Sequence, residues 1–173
     1  VLVQSGTVDA GITGNDLVLE RHADVAEIMR LGYGRCRLCV AVREECEETG
    51  LAWLAGRSVA TSFPSITRQY FAKSGVDVNI IEMNGSVEIM VALGLADAIV
   101  DIVETGDSLR DNNLKVYSDI GSYETVLIAN HAIAGDPRIA MIRRRMEGVL
   151  TARRYSILEY NIPESKLKQA EAI

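Results

Sequence analysis

Asp101, Glu104, Thr105, Gly106 and Ser108 are the residues of this 173-residue chain whose types and spacing best support chemistry. The stretch from Glu88 to Leu109 reads as helix, buried strand, then a Thr-Gly-x-Ser turn opening a new helix. Such a turn aims backbone N–H groups and two hydroxyls at one spot, an arrangement suited to a phosphate. Asp101 and Glu104 come just before it, and carboxylates accept hydrogen bonds from sugar hydroxyls. A phosphate cradle beside such acceptors suggests a sugar-phosphate site. Taken alone, the turn has a plainer reading, in which Thr105 or Ser108 caps the start of a helix. Asp107 sets a condition on the phosphate reading. Its charge must point outward or be neutralised by a cation.

The elements that must position these groups are readable from periodicity and punctuation. Val8–Thr13 reads as a strand ending at Gly14, with Asn15-Asp16 capping a helix over Leu17–Arg21. Val25–Leu31 fits helix or strand, and Gly32-Tyr33-Gly34 breaks it. Arg35–Val42 alternates and reads as a strand. Glu44–Gly50 reads as an acidic turn or helix. Arg57–Thr61 is a strand, and Pro64 opens a helix that runs to Lys73. Val76–Glu82 is a strand, and Ser86 caps a helix through Leu93. Ala98–Val103 is almost wholly apolar, as a parallel strand covered on both faces should be. A short helix over Thr105–Asp111, strands over Leu114–Ile120 and Glu124–Asn130, and a long helix from Asp136-Pro137 to about Tyr155 follow. Ile157–Asn161 reads as a last strand and Pro163–Ala172 as a last helix. The alternation of strand and helix from Arg57 to Asn113 argues for βαβ units and an α/β sheet.

Composition excludes some function classes. The net charge is −6 and the pI about 5.0, which argues against gripping a nucleic-acid backbone. An acidic protein still binds phosphorylated metabolites through local N–H groups and a few cations. No apolar run reaches the ~18 residues of a membrane span. Cys36 and Cys39 have C-x-x-C spacing, but Cys46 is the only other cysteine and His22 and His131 the only histidines. Reduced thiols packed in a cytoplasmic protein are the expectation, with no metal site.

The wider spacing carries a resemblance. Glu88, Gly94, Ala96, Ile99, Asp101, Thr105, Gly106, Ser108 and Leu109 match the signature of the ATP phosphoribosyltransferase family. The segments from Val8 to Gly14, Gly34 to Leu38, Ala60 to Pro64 and Asn84 to Glu88 resemble the same family. Ala152-Arg153-Arg154-Tyr155, followed by Glu159-Tyr160-Asn161-Ile162-Pro163, resembles its short-form branch.

The resemblance implies a glycosyltransferase of histidine biosynthesis. It would move phosphoribosyl from PRPP to N1 of ATP and release pyrophosphate, with Mg²⁺ carried on the diphosphate. It implies a PRPP site made of Asp101, Glu104, Thr105, Gly106, Asp107, Ser108 and Leu109, with Glu88 and Asp101 as the catalytic carboxylates. A first-turn carboxylate favoured by the helix dipole is the plainer role for Glu88. Gly11, Gly14, Thr61 and Ser62 are candidates for the nucleotide side. Tight turns needing positive φ are the other reading of the two glycines. A polar turn before a Pro-started helix is the other reading of Thr61 and Ser62. Arg35 and Arg37 either neutralise phosphate or lie solvated at a strand edge.

The implied fold is α/β, a two-lobed periplasmic-binding-protein-like architecture of type II. One lobe would be discontinuous (1–36 and 120–173), and 37–119 would carry the PRPP loop. The implied partners are ATP, PRPP and a separate regulatory subunit resembling a histidyl-tRNA synthetase, in a hetero-oligomer. The family's first strand and Lys-Gly-Arg loop would precede Val1, and a further strand would follow Ile173. Part of the nucleotide lobe is therefore expected outside these residues. A non-catalytic ligand-binding module of the same architecture is the alternative.

Overall fold

The computed structural model describes residues 2–156, 159 and 161–166. Two sheets organise it. The smaller joins β1 (Ala10–Gly14), β8 (Thr125–Ala129) and β2 (Ala26–Arg30) in the order β1-β8-β2, both pairs antiparallel. The larger joins β3 (Cys36–Arg43), β4 (Ser58–Thr61), β5 (Asn79–Glu82), β6 (Ala98–Val103) and β7 (Leu114–Tyr123) in the order β5-β4-β6-β3-β7.

The larger sheet is mixed. β4 pairs parallel with β5 and β6, as βαβ units require, while β3 runs antiparallel to both β6 and β7. Ala98–Val103 is thus parallel on one side only. The apolar run reports burial on both faces, and burial does not fix the direction of the second neighbour.

Side-chain alternation splits β3 between two apolar layers. Leu38, Val40 and Val42 pack with Val59, Val100 and Leu54 against Phe63, Ile66 and Phe71, around α2 (Pro64–Lys73). Cys39 and Ala41 pack with Ile99 and Val103 on the opposite face. There they meet Val87 and Val91 of the segment around α3 (Glu88–Ala92) and Leu109 of α4 (Asp107–Asp111). Burying each such Val, Leu or Phe contributes roughly 1.5–3 kcal/mol. This second layer seats the loop between β6 and α4.

Local capping predictions fare unevenly. Pro64 opens α2 as expected, and the Asp136 side chain accepts from the N–H of Arg138 to start α5 (Pro137–Ala152). Asn15 does not cap α1 (Asn15–Glu20). Gly14 precedes that helix, and Asn15 Oδ1 accepts instead from the Glu124 N–H at 2.9 Å. Ser86 does not cap α3 either. It lies at φ +53, and Val87 stands at the cap position. Val25–Leu31 resolves to strand because β8 pairs with it. The segment before Leu51 holds no helix; a 3₁₀ turn follows at Leu51–Leu54. The strand expected over Ile157–Asn161 and most of the helix over Pro163–Ala172 lie outside the described residues, which include a 3₁₀ turn at Glu164–Lys166.

Candidate active site

The C-terminal end of β6 and the start of α4 enclose a pocket of about 240 Å³. Glu88, Asp101, Glu104, Thr105, Gly106, Asp107, Ser108 and Leu109 all line it, so the helix α3, the strand β6 and the turn converge on one place. Gly106 adopts φ +81, a left-handed conformation that costs a side-chain-bearing residue roughly 1–2 kcal/mol. That turn sets the first residues of α4, Asp107 to Leu109, along the pocket. The cap position is Gly106, which has no side chain to offer. The capping reading of the hydroxyls is met only in part, by Thr105. The Thr105 hydroxyl donates to Asp107 Oδ2 at 2.6 Å, and the Asp107 N–H makes only a long 3.4 Å approach to Thr105 Oγ1.

Asp107 meets the condition that the sequence set. Arg110 pairs with its other carboxylate oxygen one turn later. The Thr105 hydroxyl first, and Arg110 second, hold its carboxyl below the usual carboxylate range. Arg110 is the member of this arrangement that the sequence expectations lack, although an Asp–Arg pair three apart on a helix is a readable signal.

Asp101 is different. It is partly buried, with Oδ1 accepting from the Ile102 N–H at 2.8 Å. Burial pushes its carboxyl up, the Ile102 bond works against that, and nearby Glu88 raises it further. Four carboxylates line the pocket and, among the described residues, no cation does. Such a surplus of negative charge suits sugar hydroxyls or a substrate that brings its own cation.

The candidate nucleotide residues lie elsewhere. Thr61 is fully buried. Its hydroxyl donates to the Val100 carbonyl at 2.8 Å and accepts from the Phe63 N–H at 2.9 Å. Ser62 Oγ accepts from the Gly85 N–H. Gly11 sits within β1, and Gly14 has φ −73, so neither occupies the left-handed region expected of a tight turn. Gly14 packs instead against the Asp16 side chain, which a larger residue would displace. A Cβ there would meet Asp16 Oδ1 at 2.0 Å.

The C-x-x-C pair does not converge. Three residues apart on one strand, Cys36 and Cys39 face opposite sides of the sheet. Burial, then a hydrogen bond donated to Asp119 Oδ1 at 3.1 Å, pushes the Cys39 thiol up to about 12. Burial, with Asp16 and Glu104 nearby, also pushes Cys36 up. Both are held as thiols. Among the described residues no three His, Cys, Asp or Glu side chains gather around a metal position.

Beside the loop pocket lies a second one of about 440 Å³, lined by Arg30, Arg35, Cys36, Arg37, Ser122, Tyr123 and Glu124 and sharing Val103 and Glu104 with the first. A groove of about 650 Å³ along α2 and β5 lies away from both.

Comparisons with known proteins converge on one family. The family model described as "HisG: ATP phosphoribosyltransferase" matches residues 1–148. The ATP phosphoribosyltransferase of Rhodopirellula baltica is 46% identical over 172 residues, covering 99% of this chain and 58% of that protein. The chain spans about three-fifths of the length of the curated relatives it matches. Among solved structures, the ATP phosphoribosyl transferase (HisG:HisZ) complex from Thermotoga maritima matches with a TM-score of 0.77 and 27% identity, over 87% of this chain and 74% of that one. The substrate binding protein of an amino acid ABC transporter matches over 98% of this chain and 69% of its own, with a TM-score of 0.61 and 18% identity. The fold is thus the α/β periplasmic-binding-protein-like one.

Proposed function

The chain belongs to the ATP phosphoribosyltransferase family, and from that premise we propose that the full-length protein transfers phosphoribosyl from PRPP to N1 of ATP, releasing pyrophosphate. One observation carries the reading. The eight residues proposed for PRPP and catalysis line a single pocket at the start of α4. The 5′-phosphate binds the N–H groups and hydroxyls of Thr105–Leu109, where the helix start favours an anion. Asp101 and Glu104 accept from the ribose hydroxyls and fix the sugar's orientation. Glu88, at the first turn of α3, faces the same sugar. In the transition state positive charge develops on the ribose ring, and these carboxylates stabilise it at short range. Most of the remaining acceleration comes from holding two substrates in register.

The carboxylate-rich lining fits a cation that arrives on the substrate. Glu88, Asp101 and Glu104 are the residues that would hold a Mg²⁺ brought in on the diphosphate, and the ion would supply charge neutralisation of the leaving group. We assign 1–36 and 120–173 to one lobe, holding the nucleotide side with Gly11 and Gly14, and 37–119 to the other. The partition of β1, β2 and β8 from β3–β6 supports this, with β7 crossing the boundary.

The Thermotoga maritima complex supports a separate regulatory subunit. The curated relatives exceed the matched region by about two-fifths of their length. That favours a second reading of regulation, by a segment of the same polypeptide.

The test mixes full-length protein with PRPP, ATP and Mg²⁺, with and without a histidyl-tRNA-synthetase-like subunit. The expected result is the absorbance change of N1-phosphoribosyl-ATP. No change in either mixture overturns the reading and leaves a ligand-binding module. Activity with histidine feedback in the single-chain mixture selects the one-polypeptide form of regulation.

A further inference from the structure

The two adjoining pockets divide charge unequally. The loop pocket presents Glu88, Asp101, Glu104 and Asp107 and, among the described residues, no cation. The neighbouring pocket presents three arginines against two glutamates. Val103 and Glu104 line both, so the two are continuous. We propose that the arginine-lined pocket binds the polyphosphate end of a substrate, with Arg35 and Arg37 as its cations. The proposal rests on the loop pocket holding a sugar phosphate. A terminal phosphate carries about −1.5 to −2 charges at neutral pH, and the loop pocket has no cation with which to meet a second and a third.

The three arginines are not equivalent. Arg30 is committed to Glu27 at 3.0 Å and lies 3.6 Å from Glu124. Arg35 is exposed and has no ion-pair partner among the described residues. Arg37 is aimed. Its Nη1 donates to Asp119 Oδ1 at 3.0 Å, and the same oxygen accepts from the Cys39 thiol at 3.1 Å. In the sheet Cys39 pairs with both Asp119 and Asp101, and Arg37 pairs with Val103. Arg37, Cys39, Asp119 and Asp101 therefore share one face, with Arg37 a diagonal neighbour of Asp101. A guanidinium has five N–H donors, and the Asp119 bond takes one. The rest are available to phosphate oxygens in a forked geometry that a lysine cannot reproduce. Asp119 is the positioning residue.

Indiscriminate capture of polyanions is disfavoured by the net charge of −6. The test uses calorimetric titration of the full-length protein with tripolyphosphate and, separately, ribose 5-phosphate. Arg35→Ala with Arg37→Ala should weaken tripolyphosphate binding about tenfold or more and change ribose 5-phosphate affinity less than twofold. Arg37→Lys should recover only part of the loss. Arg68→Ala, on α2 and paired with Glu82, should change neither. PRPP and ATP titrated into the double variant identify the source, because the substrate that loses affinity is the one whose polyphosphate sits there. Unchanged tripolyphosphate affinity in the double variant overturns the proposal. If ribose 5-phosphate fails to bind wild-type protein while tripolyphosphate binding still depends on Arg35 and Arg37, the loop reading falls and the arginine site stands.

Discussion

Two helix starts in this molecule face the same physical problem and solve it differently. α2 begins after Phe63 with no side-chain cap of its own. Its first N–H groups, those of Ser65 and Ile66, donate at 3.0 and 3.1 Å to the two carboxylate oxygens of Glu20. Glu20 comes from α1, beside the smaller sheet, and only 7% of its surface is exposed. α4 begins after Gly106 in the left-handed region, and its only side-chain acceptor among the described residues is Thr105 Oγ1, at a long 3.4 Å from the Asp107 N–H. Among the described residues no buried carboxylate from another element reaches it. At α2 the dipole and the unpaired donors are satisfied by the protein, so that terminus is a latch between the elements of the two sheets. At α4 the helix start lines a pocket. A helix start is therefore not in itself a site. What marks α4 is the glycine before it and the carboxylates on the strand that feeds it.

The contrast breaks most visibly at Glu20. Replacing Glu20 with Ala leaves two buried N–H groups without acceptors and opens space at the contact of α1 with α2. The expected loss of stability is about 2–3 kcal/mol in denaturant unfolding of the full-length protein. Glu20→Gln keeps one carbonyl acceptor and should lose less. A Glu20→Ala protein as stable as wild type would mean that α2's start is satisfied without the latch.

This latch was not legible in the sequence, and the reason is distance along the chain. Pro64 at α2 and Asp136 at α5 were readable because each acts within its own turn. Asn15 and Glu20 read as ordinary helix-start and helix-end residues, yet their partners lie 109 and 45 residues away. α1 also buries its polar residues Asn15, Asp16 and Glu20 while Leu17 and Leu19 face outward, the reverse of the amphipathic pattern that sequence reading relies on. The antiparallel seat of β3 beside β6 was hidden for the same reason. A six-residue apolar run announces two covered faces and says nothing of its neighbours. The loop pocket was legible because its residues are nearly consecutive. Only Glu88 lies outside the run from Asp101 to Leu109, and it comes 13 residues before Asp101.

Asp101 sharpens the same comparison from the pocket side. Asp101→Asn should weaken PRPP binding about tenfold, since a charged acceptor of ribose hydroxyls becomes a neutral one. Its effect on stability has the opposite sign. The folded Asp101 carboxyl titrates above its ordinary 3.8, so the native state holds a proton that the unfolded chain has already released. Stability contributed by this group is full below about pH 3.8 and is lost as pH rises through the folded value. At neutral pH the charged, half-desolvated carboxylate is a cost. Asp101→Asn should therefore melt no lower than wild type at pH 7, and the difference between the two should shrink towards acid pH. Wild-type PRPP affinity should fall as the pH drops into the range where Asp101 protonates. A variant that both melts lower and binds PRPP normally would make Asp101 a structural residue.

Asp107 gives the smallest effect and the finest distinction. It is exposed, tied to Arg110 and to the Thr105 hydroxyl, and it lines the pocket without being buried. If it served as a cap, Asp107→Asn would loosen α4. The geometry argues otherwise, because its carboxylate accepts from the side chains of Thr105 and Arg110 and from no N–H of α4 among the described residues. Substitution by Asn should lower stability only slightly, because the pairing that holds the carboxyl below its usual range is exposed to solvent. It also removes one negative charge beside the proposed phosphate and releases both the Thr105 hydroxyl and the Arg110 guanidinium from their present partner. Ribose 5-phosphate should then bind about two- to fivefold more tightly, the range an exposed charge interaction supplies, and the gain should fade as salt screens it. Weaker binding in Asp107→Asn would show that the aspartate holds Thr105 in its binding orientation, and the carboxylate would then be a part of the loop that the phosphate needs.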